Sequence, residues 1–140
     1  MSQRIIKFRG YSKRIQDWLY GDLVDYVSHI AIFPIQLSPK LLDTYMIIER
    51  ASIGQFTGLL DKNGAEIYEG DILDCKCTSL FKNHGGVSEV GFANHEWKAR
   101  YLISSCPIKD ALGFNWGGWE SFEVIGNIYQ TPKFLKQYES

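Results

Sequence analysis

The run Gly54-Gln55-Phe56-Thr57-Gly58-Leu59-Leu60-Asp61-Lys62-Asn63-Gly64-Ala65-Glu66-Ile67-Tyr68-Glu69-Gly70-Asp71-Ile72-Leu73 decides the fold class of this chain. It has three parts: a Gly-punctuated aromatic segment, an Asp61–Gly64 turn, and a Gly70-Asp71 pair that opens an aliphatic run. Asn-Gly between apolar segments is the strongest short-range hairpin signal, because both residues tolerate φ > 0 and suit a type I′ turn. The spacing predicts a hairpin tip at Asp61–Gly64 between strands near Thr57–Leu60 and Ala65–Tyr68. Gly70 can take a backbone conformation closed to other residues, and Asp71 can accept a hydrogen bond from a backbone N–H two positions on. No helix-length segment separates these turns. The architecture is β.

Working outward, Ile5–Phe8 reads as a first strand, Gly10–Asp17 as a turn region, Trp18–Val27 as a strand with a Gly-Asp interruption, and Ile30–Ile35 as a third. Ser38-Pro39 starts a short helix or turn, and Tyr45–Ile48 is rich in β formers. Beyond the central run come strands at Asp71–Thr78, Val87–Phe92, Lys98–Ile103 and Phe122–Tyr129. Ala93–Trp97 reads as a hairpin connection, Ser79–Gly86 as a loop and Ser104–Gly118 as the least regular stretch. Thr131-Pro132 caps a short C-terminal helical turn. Tyr20-Gly21-Asp22-Leu23-Val24 echoes Tyr68–Leu73, which reads as one turn chemistry used twice. Many short strands with frequent turns point to a barrel or a sandwich.

Three blocks carry a resemblance: Ile6–Arg9 with Tyr20–Val24, then Gly54–Leu73, then Glu123-Val124-Ile125-Gly126-Asn127-Ile128-Tyr129. In this order they resemble the YopX family of bacteriophage and prophage proteins across nearly the whole chain. The resemblance implies a mainly β, small SH3-like barrel. It implies one domain over 1–140, with N-terminal strands over about 1–50 and the barrel over about 51–135. It brings no established activity and no catalytic, cofactor or metal residues.

The composition, 45% hydrophobic, 14% aromatic and 22% charged in 140 residues, is that of one folded domain with a real core. Net charge is −1, so nothing drives the whole chain toward phosphate backbones or anionic membranes. The three cysteines have no disulfide-framework spacing, and the start, MSQRIIKFRG, has no apolar stretch of signal-peptide length. These features predict a cytoplasmic protein of the host bacterium with no membrane association.

Cys75 and Cys77 alternate on a strand, a poor spacing for zinc even with Cys106 and His84 or His95, so buried, reduced thiols are expected and no metal. Glu66, Glu69, Asp71 and Asp74 form a carboxylate-rich segment, read as a turn cap with a solvated rim rather than an acid pair. Lys7 and Arg9 share a strand face opposite Ile6 and Phe8, and with Arg4, Lys13 and Arg14 they read as charges guarding an edge strand. The expected core is Ile6, Phe8, Ile67, Ile72, Val124, Ile125 and Ile128.

One segment has a functional alternative to core packing. Trp97, Lys98, Arg100 and Tyr101, with Phe114, Trp116 and Trp119 in the glycine-rich stretch, interleave rings with cations. Trp, Tyr and Arg are common interface anchors, and exposed rings beside cations also stack single-stranded bases. No GxGxxG, Walker A, HExxH or GxSxG occurs, which disfavours nucleotide-dependent and common hydrolytic enzymes. The expected function is a non-catalytic interaction or self-assembling module of a phage or prophage, without a cofactor. Its partner would be a second copy or another phage or host protein. A single-strand nucleic-acid binder is the alternative, and an uncharacterised enzyme the second. Self-association is expected through a β edge or Phe114–Trp119.

Overall fold

The computed structural model describes residues 4–34, 46–77, 84–93, 95–104, 112–113 and 122–131, with backbone alone at 75–77, 84–86, 100–104 and 112–113. The expected helical turns after Ser38 and Thr131 lie outside these residues, as do positions 114–120. The chain is mainly β and divides into two compact units, Met1–Gly58 and Leu59–Ser140. The first sheet has the order β3-β2-β1-β4-β5: β1 Phe8–Ser12, β2 Asp17–Asp25, β3 Ile30–Pro34, β4 Gly54–Leu60 and β5 Glu66–Tyr68. The second has the order β10-β6-β7-β8-β9: β6 Asp71–Cys77, β7 His84–Ala93, β8 Glu96–Ser104, β9 Leu112–Gly113 and β10 Phe122–Asn127. The pairings of β1 with β2 and β4, of β2 with β3, of β6 with β10 and β7, and of β8 with β7 and β9 are all antiparallel. Among the described residues neither sheet closes into a barrel.

In the first unit β1 starts later than its apolar residues suggest. Gly10, Tyr11 and Ser12 pair with Leu19, Trp18 and Asp17, so the turn shrinks to residues 13–16. One sheet face packs Ile30, Ile32 and Ile48 with Phe8, Leu19, Leu23 and Ile53. Ile6 precedes the first register pair, Phe8 with Gly21, and stands 61% exposed. It is not core. The edge reading of the N-terminal cations also fails: β1 is flanked by β2 and β4, and Arg9 is buried.

Gly21 is no turn residue. It lies inside β2, opposite Phe8 and Pro34. A Cβ there would meet the Phe33 carbonyl oxygen inside van der Waals contact, with the Phe33 carbonyl carbon at 2.8 Å and Pro34 Cα at 3.0 Å. All three are backbone atoms and cannot rotate away. Gly21→Ala is therefore expected to lower stability by about 1–3 kcal/mol, read as a reduced urea midpoint. Gly91→Ala on β7, where a Cβ meets nothing within 4 Å, is the control and stays within about 0.5 kcal/mol.

In the second unit the core joins Ile67, Leu73, Val90, Ala99 and Phe122, with Leu59, Trp97 and Val124 packed against it. The pairing of β10 with β6 shifts between Val124 and Gly126, and Ile125, which falls in that irregularity, stands 37% exposed. The expected core residue Ile125 is thus turned out by a bulge. Val124 and Ile128 are half-buried.

The Asp61–Gly64 hairpin forms where expected, but not as a type I′ turn. Gly64 has φ 82°, whereas Asn63 keeps negative φ. Gly64 N–H donates to the Asp61 carbonyl at 3.0 Å, and Asp61 N–H donates to the Ala65 carbonyl at 2.8 Å. This is a three-residue loop ending in a left-handed glycine. The reason is the Asp61 side chain. Its Oδ1 accepts Asn63 N–H at 2.8 Å and Ala65 N–H at 2.9 Å, which wraps the turn around the carboxylate.

The tip also grips β10. Asp61 Oδ2 accepts Val124 N–H at 3.0 Å, and Lys62 N–H donates to the Phe122 carbonyl at 3.0 Å. Glu123 receives Lys62 Nζ at 3.3 Å and Asn63 Nδ2 at 3.3 Å. The clasp covers edge groups that would otherwise be open to another strand. At Gly70 (φ 87°) the backbone is left-handed as expected. Asp71 looks backward, however: its Oδ2 accepts Tyr68 N–H at 2.8 Å.

Candidate functional site

Strands β7 and β8 close on Ala93 and Glu96, leaving residues 94–95 as the connection, with His95 at φ 65°. That closure puts Phe92 opposite Trp97, Gly91 opposite Lys98 and Val90 opposite Ala99. Alternation then sends Phe92 and Trp97 to the core face and Lys98 to the other. The rings of Phe92 and Trp97 meet edge to face, with centroids 4.9 Å apart and planes at 70°. Trp97 packs against the core cluster, whereas Phe92, its partner across the hairpin, is 55% exposed. The result is an exposed ring on a rigid aromatic base.

Of the residues singled out in the sequence, Trp97 therefore belongs to this platform. Lys98 lies on the opposite face, with its Nζ 3.3 Å from Glu96 Oε1. Arg100 and Tyr101 pair in register with Glu89 and Ser88, and their side chains lie outside the described residues. So do Phe114, Trp116 and Trp119. Phe92 escaped notice in the sequence. The signal was there: a two-residue Asn94-His95 connection in Gly91-Phe92-Ala93-Asn94-His95-Glu96-Trp97 sets Phe92 opposite Trp97.

A second meeting of rings and cations lies on the first sheet. The Arg9 guanidinium sits 4.6 Å from the Trp18 ring centroid, Tyr11 meets Trp18 edge to face at 5.6 Å, and Lys7 Nζ lies 5.3 Å from the Phe56 centroid. Arg9 and Phe56 are buried. A guanidinium over a ring contributes about 0.5–2 kcal/mol, more as the pair leaves water. These cations hold the sheet together.

Residues 7–136 match the family model described as YopX protein. The chain belongs to the YopX family. The match runs through both compact units of this YopX protein. Among solved structures, the crystal structure of protein EF1440 from Enterococcus faecalis is similar over 95% of this chain and 99% of its own, at 26% identity and a TM-score of 0.56. No curated protein matches. No helix among the described residues is long and apolar enough to cross a membrane.

The acidic segment of this YopX protein divides by position. Asp71 holds the turn at Tyr68, Glu66 Oε1 accepts the Tyr68 hydroxyl at 3.4 Å, and Asp74 pairs in register with Glu123. Among the described residues no group of three or more His, Cys, Asp or Glu side chains could hold a metal ion. Cys75 pairs with Gly86 and Cys77 with His84; their side chains, and Cys106, lie outside the described residues.

Glu69 is half-buried rather than on a solvated rim, and burial raises its carboxyl above the ordinary value of 4.5. The folded state therefore holds a proton that the unfolded chain has already lost. Its contribution to stability is full below the ordinary value and is lost as pH rises through the raised one. Glu69→Gln is expected to remove that fall and to raise the urea midpoint at pH 7 relative to the native chain. A midpoint lowered at pH 7 and unchanged at pH 4 would show that the charged form is the favoured one.

Proposed function

We propose that this YopX protein is a phage- or prophage-encoded accessory protein that works by binding, as a self-assembling or protein-interaction module in the host cytoplasm, and not by catalysis. The observation that supports it is Phe92, exposed on the core-anchored Trp97. A rigid ring standing in water is a ready anchor for another apolar surface, and it loses little conformational freedom on binding. Among the described residues, the ionisable groups with shifted equilibria fit the same reading: Asp61 holds one turn through backbone N–H groups, and Glu69 lies half-buried in a second. An SH3-like reading of the second sheet draws on its strand order, in which the last strand, β10, returns beside the first, β6, of a meander.

Lys98 faces away from the rings and is paired with Glu96, which favours a protein partner over bases stacked beside cations. Sedimentation velocity at micromolar concentration tests the proposal. The native chain is expected to run above monomer mass and Phe92→Ala as a monomer with an unchanged urea midpoint. A native monomer at every concentration, or an oligomer indifferent to Phe92→Ala, would overturn self-assembly through this ring. Salt-sensitive binding of labelled oligodeoxythymidine by the native chain would favour the nucleic-acid alternative.

A further inference from the structure

We infer that Asn63-Gly64 is a site of spontaneous backbone-assisted deamidation, held in check by the Asp61 clasp, and that its conversion loosens the hairpin from β10. Asn63 is the one asparagine of five that is followed by glycine; the others precede His84, His95, Trp116 and Ile128. A following glycine offers no side chain to hinder attack by its own nitrogen. Both residues are exposed, and a Cβ at Gly64 would meet nothing within 4 Å, so water reaches the bond.

The chemistry needs only water. The Gly64 backbone nitrogen, losing its proton, attacks Asn63 Cγ. A C–N bond forms, the Cγ–Nδ2 bond breaks, and the amide nitrogen leaves as ammonia. Water then adds to either carbonyl of the resulting succinimide, giving an aspartate or an isoaspartate. No oxidant or reductant takes part.

Two contacts oppose the first step in the folded protein. Gly64 N–H is committed to the Asp61 carbonyl at 3.0 Å, and Asn63 Nδ2 is committed to Glu123 Oε1 at 3.3 Å. Attack requires both to open, so the native chain reacts roughly tenfold or more slowly than the unfolded one. After conversion the amide donor facing Glu123 has been replaced by a carboxylate, which can only accept. Two anions then meet where a donor met an acceptor, and an isoaspartate adds a backbone carbon to a three-residue loop. Either change works against the bonds from Lys62 and Asp61 to Phe122 and Val124.

Peptide mapping by mass spectrometry tests this on the full chain incubated at pH 8, native and in urea, with the other asparagines as internal references. The expected result is conversion confined to Asn63, slow in the native chain, faster in Glu123→Ala, which removes the acceptor of Asn63 Nδ2, and fastest in urea. Glu123 is a half-exposed side chain, so that variant keeps the fold. Asn63→Asp, made directly, is expected to lower the urea midpoint, whereas Asn63→Ser does so less. Equal rates in native and unfolded chains, or faster conversion at another asparagine in the unfolded chain, would overturn the inference. So would an Asn63→Asp variant as stable as the native chain.

Discussion

Replacing Ile67 or Ile72 by alanine is expected to destabilise the protein by about 2–5 kcal/mol each, against a total that in natural domains is roughly 5–15 kcal/mol. Both side chains have 0% exposure. Ile67 lies in the cluster with Leu73, Val90, Ala99 and Phe122, so truncation removes apolar contacts and leaves a hole that strands cannot close. Ile72 and Leu73 are consecutive and equally buried, which means β6 is covered on both faces at this point. The contrast is as informative as the loss. Ile6→Ala and Ile125→Ala change residues of the same type that stand 61% and 37% exposed, and each should stay within about 0.5 kcal/mol. Urea midpoints of the four variants measure this. A loss at Ile6 as large as that at Ile67 would mean that the core extends over the first residues of the chain.

Those four isoleucines mark what a sequence can convey. Alternation and turn residues are local, and they located β4, β5, β6, β8 and β10 to within a few residues. Register and strand order depend on partners far along the chain. Ile125 looks like its neighbours until the pairing with β6 skips it. Arg9 looks like an edge charge until β4, more than forty residues on in sequence, takes the open side of β1. Gly21 looks like the glycine of a Gly-Asp turn, yet what selects it is the backbone of β3 passing too close for a Cβ. The same limit applied to the candidate surface. Trp97 and Lys98 are adjacent in sequence and therefore on opposite faces, while Phe92 joins Trp97 only through the hairpin closure.

The second large effect is expected at Asp61. Burial by itself pushes its carboxyl up, but the N–H groups of Val124, Ala65 and Asn63 and the charge of Lys62 outweigh this, leaving it below its ordinary value of 3.8. Asp61→Ala removes an acceptor from three backbone donors at once, in a residue only 6% exposed. Hydrogen bonds to a charged group are worth about 1.5–3 kcal/mol each and do not add fully when they share it, so a loss of roughly 3–4 kcal/mol is expected. Asp61→Asn keeps an acceptor oxygen without the charge and should fall between the two. The pH dependence follows in sign. A carboxyl lowered by folding contributes stability above its ordinary value, and that contribution disappears as pH falls through the lowered one. The native chain should therefore lose stability toward acid more steeply than Asp61→Asn. Amide exchange reports the clasp directly: Val124, Ala65 and Asn63 N–H should lose protection in Asp61→Ala, while the Val90 and Ala99 amides lose only what the lower global stability takes from them. Full protection at Val124 in that variant would mean that β10 is held by its pairing with β6 alone, and that the hairpin tip adds nothing to the edge it covers.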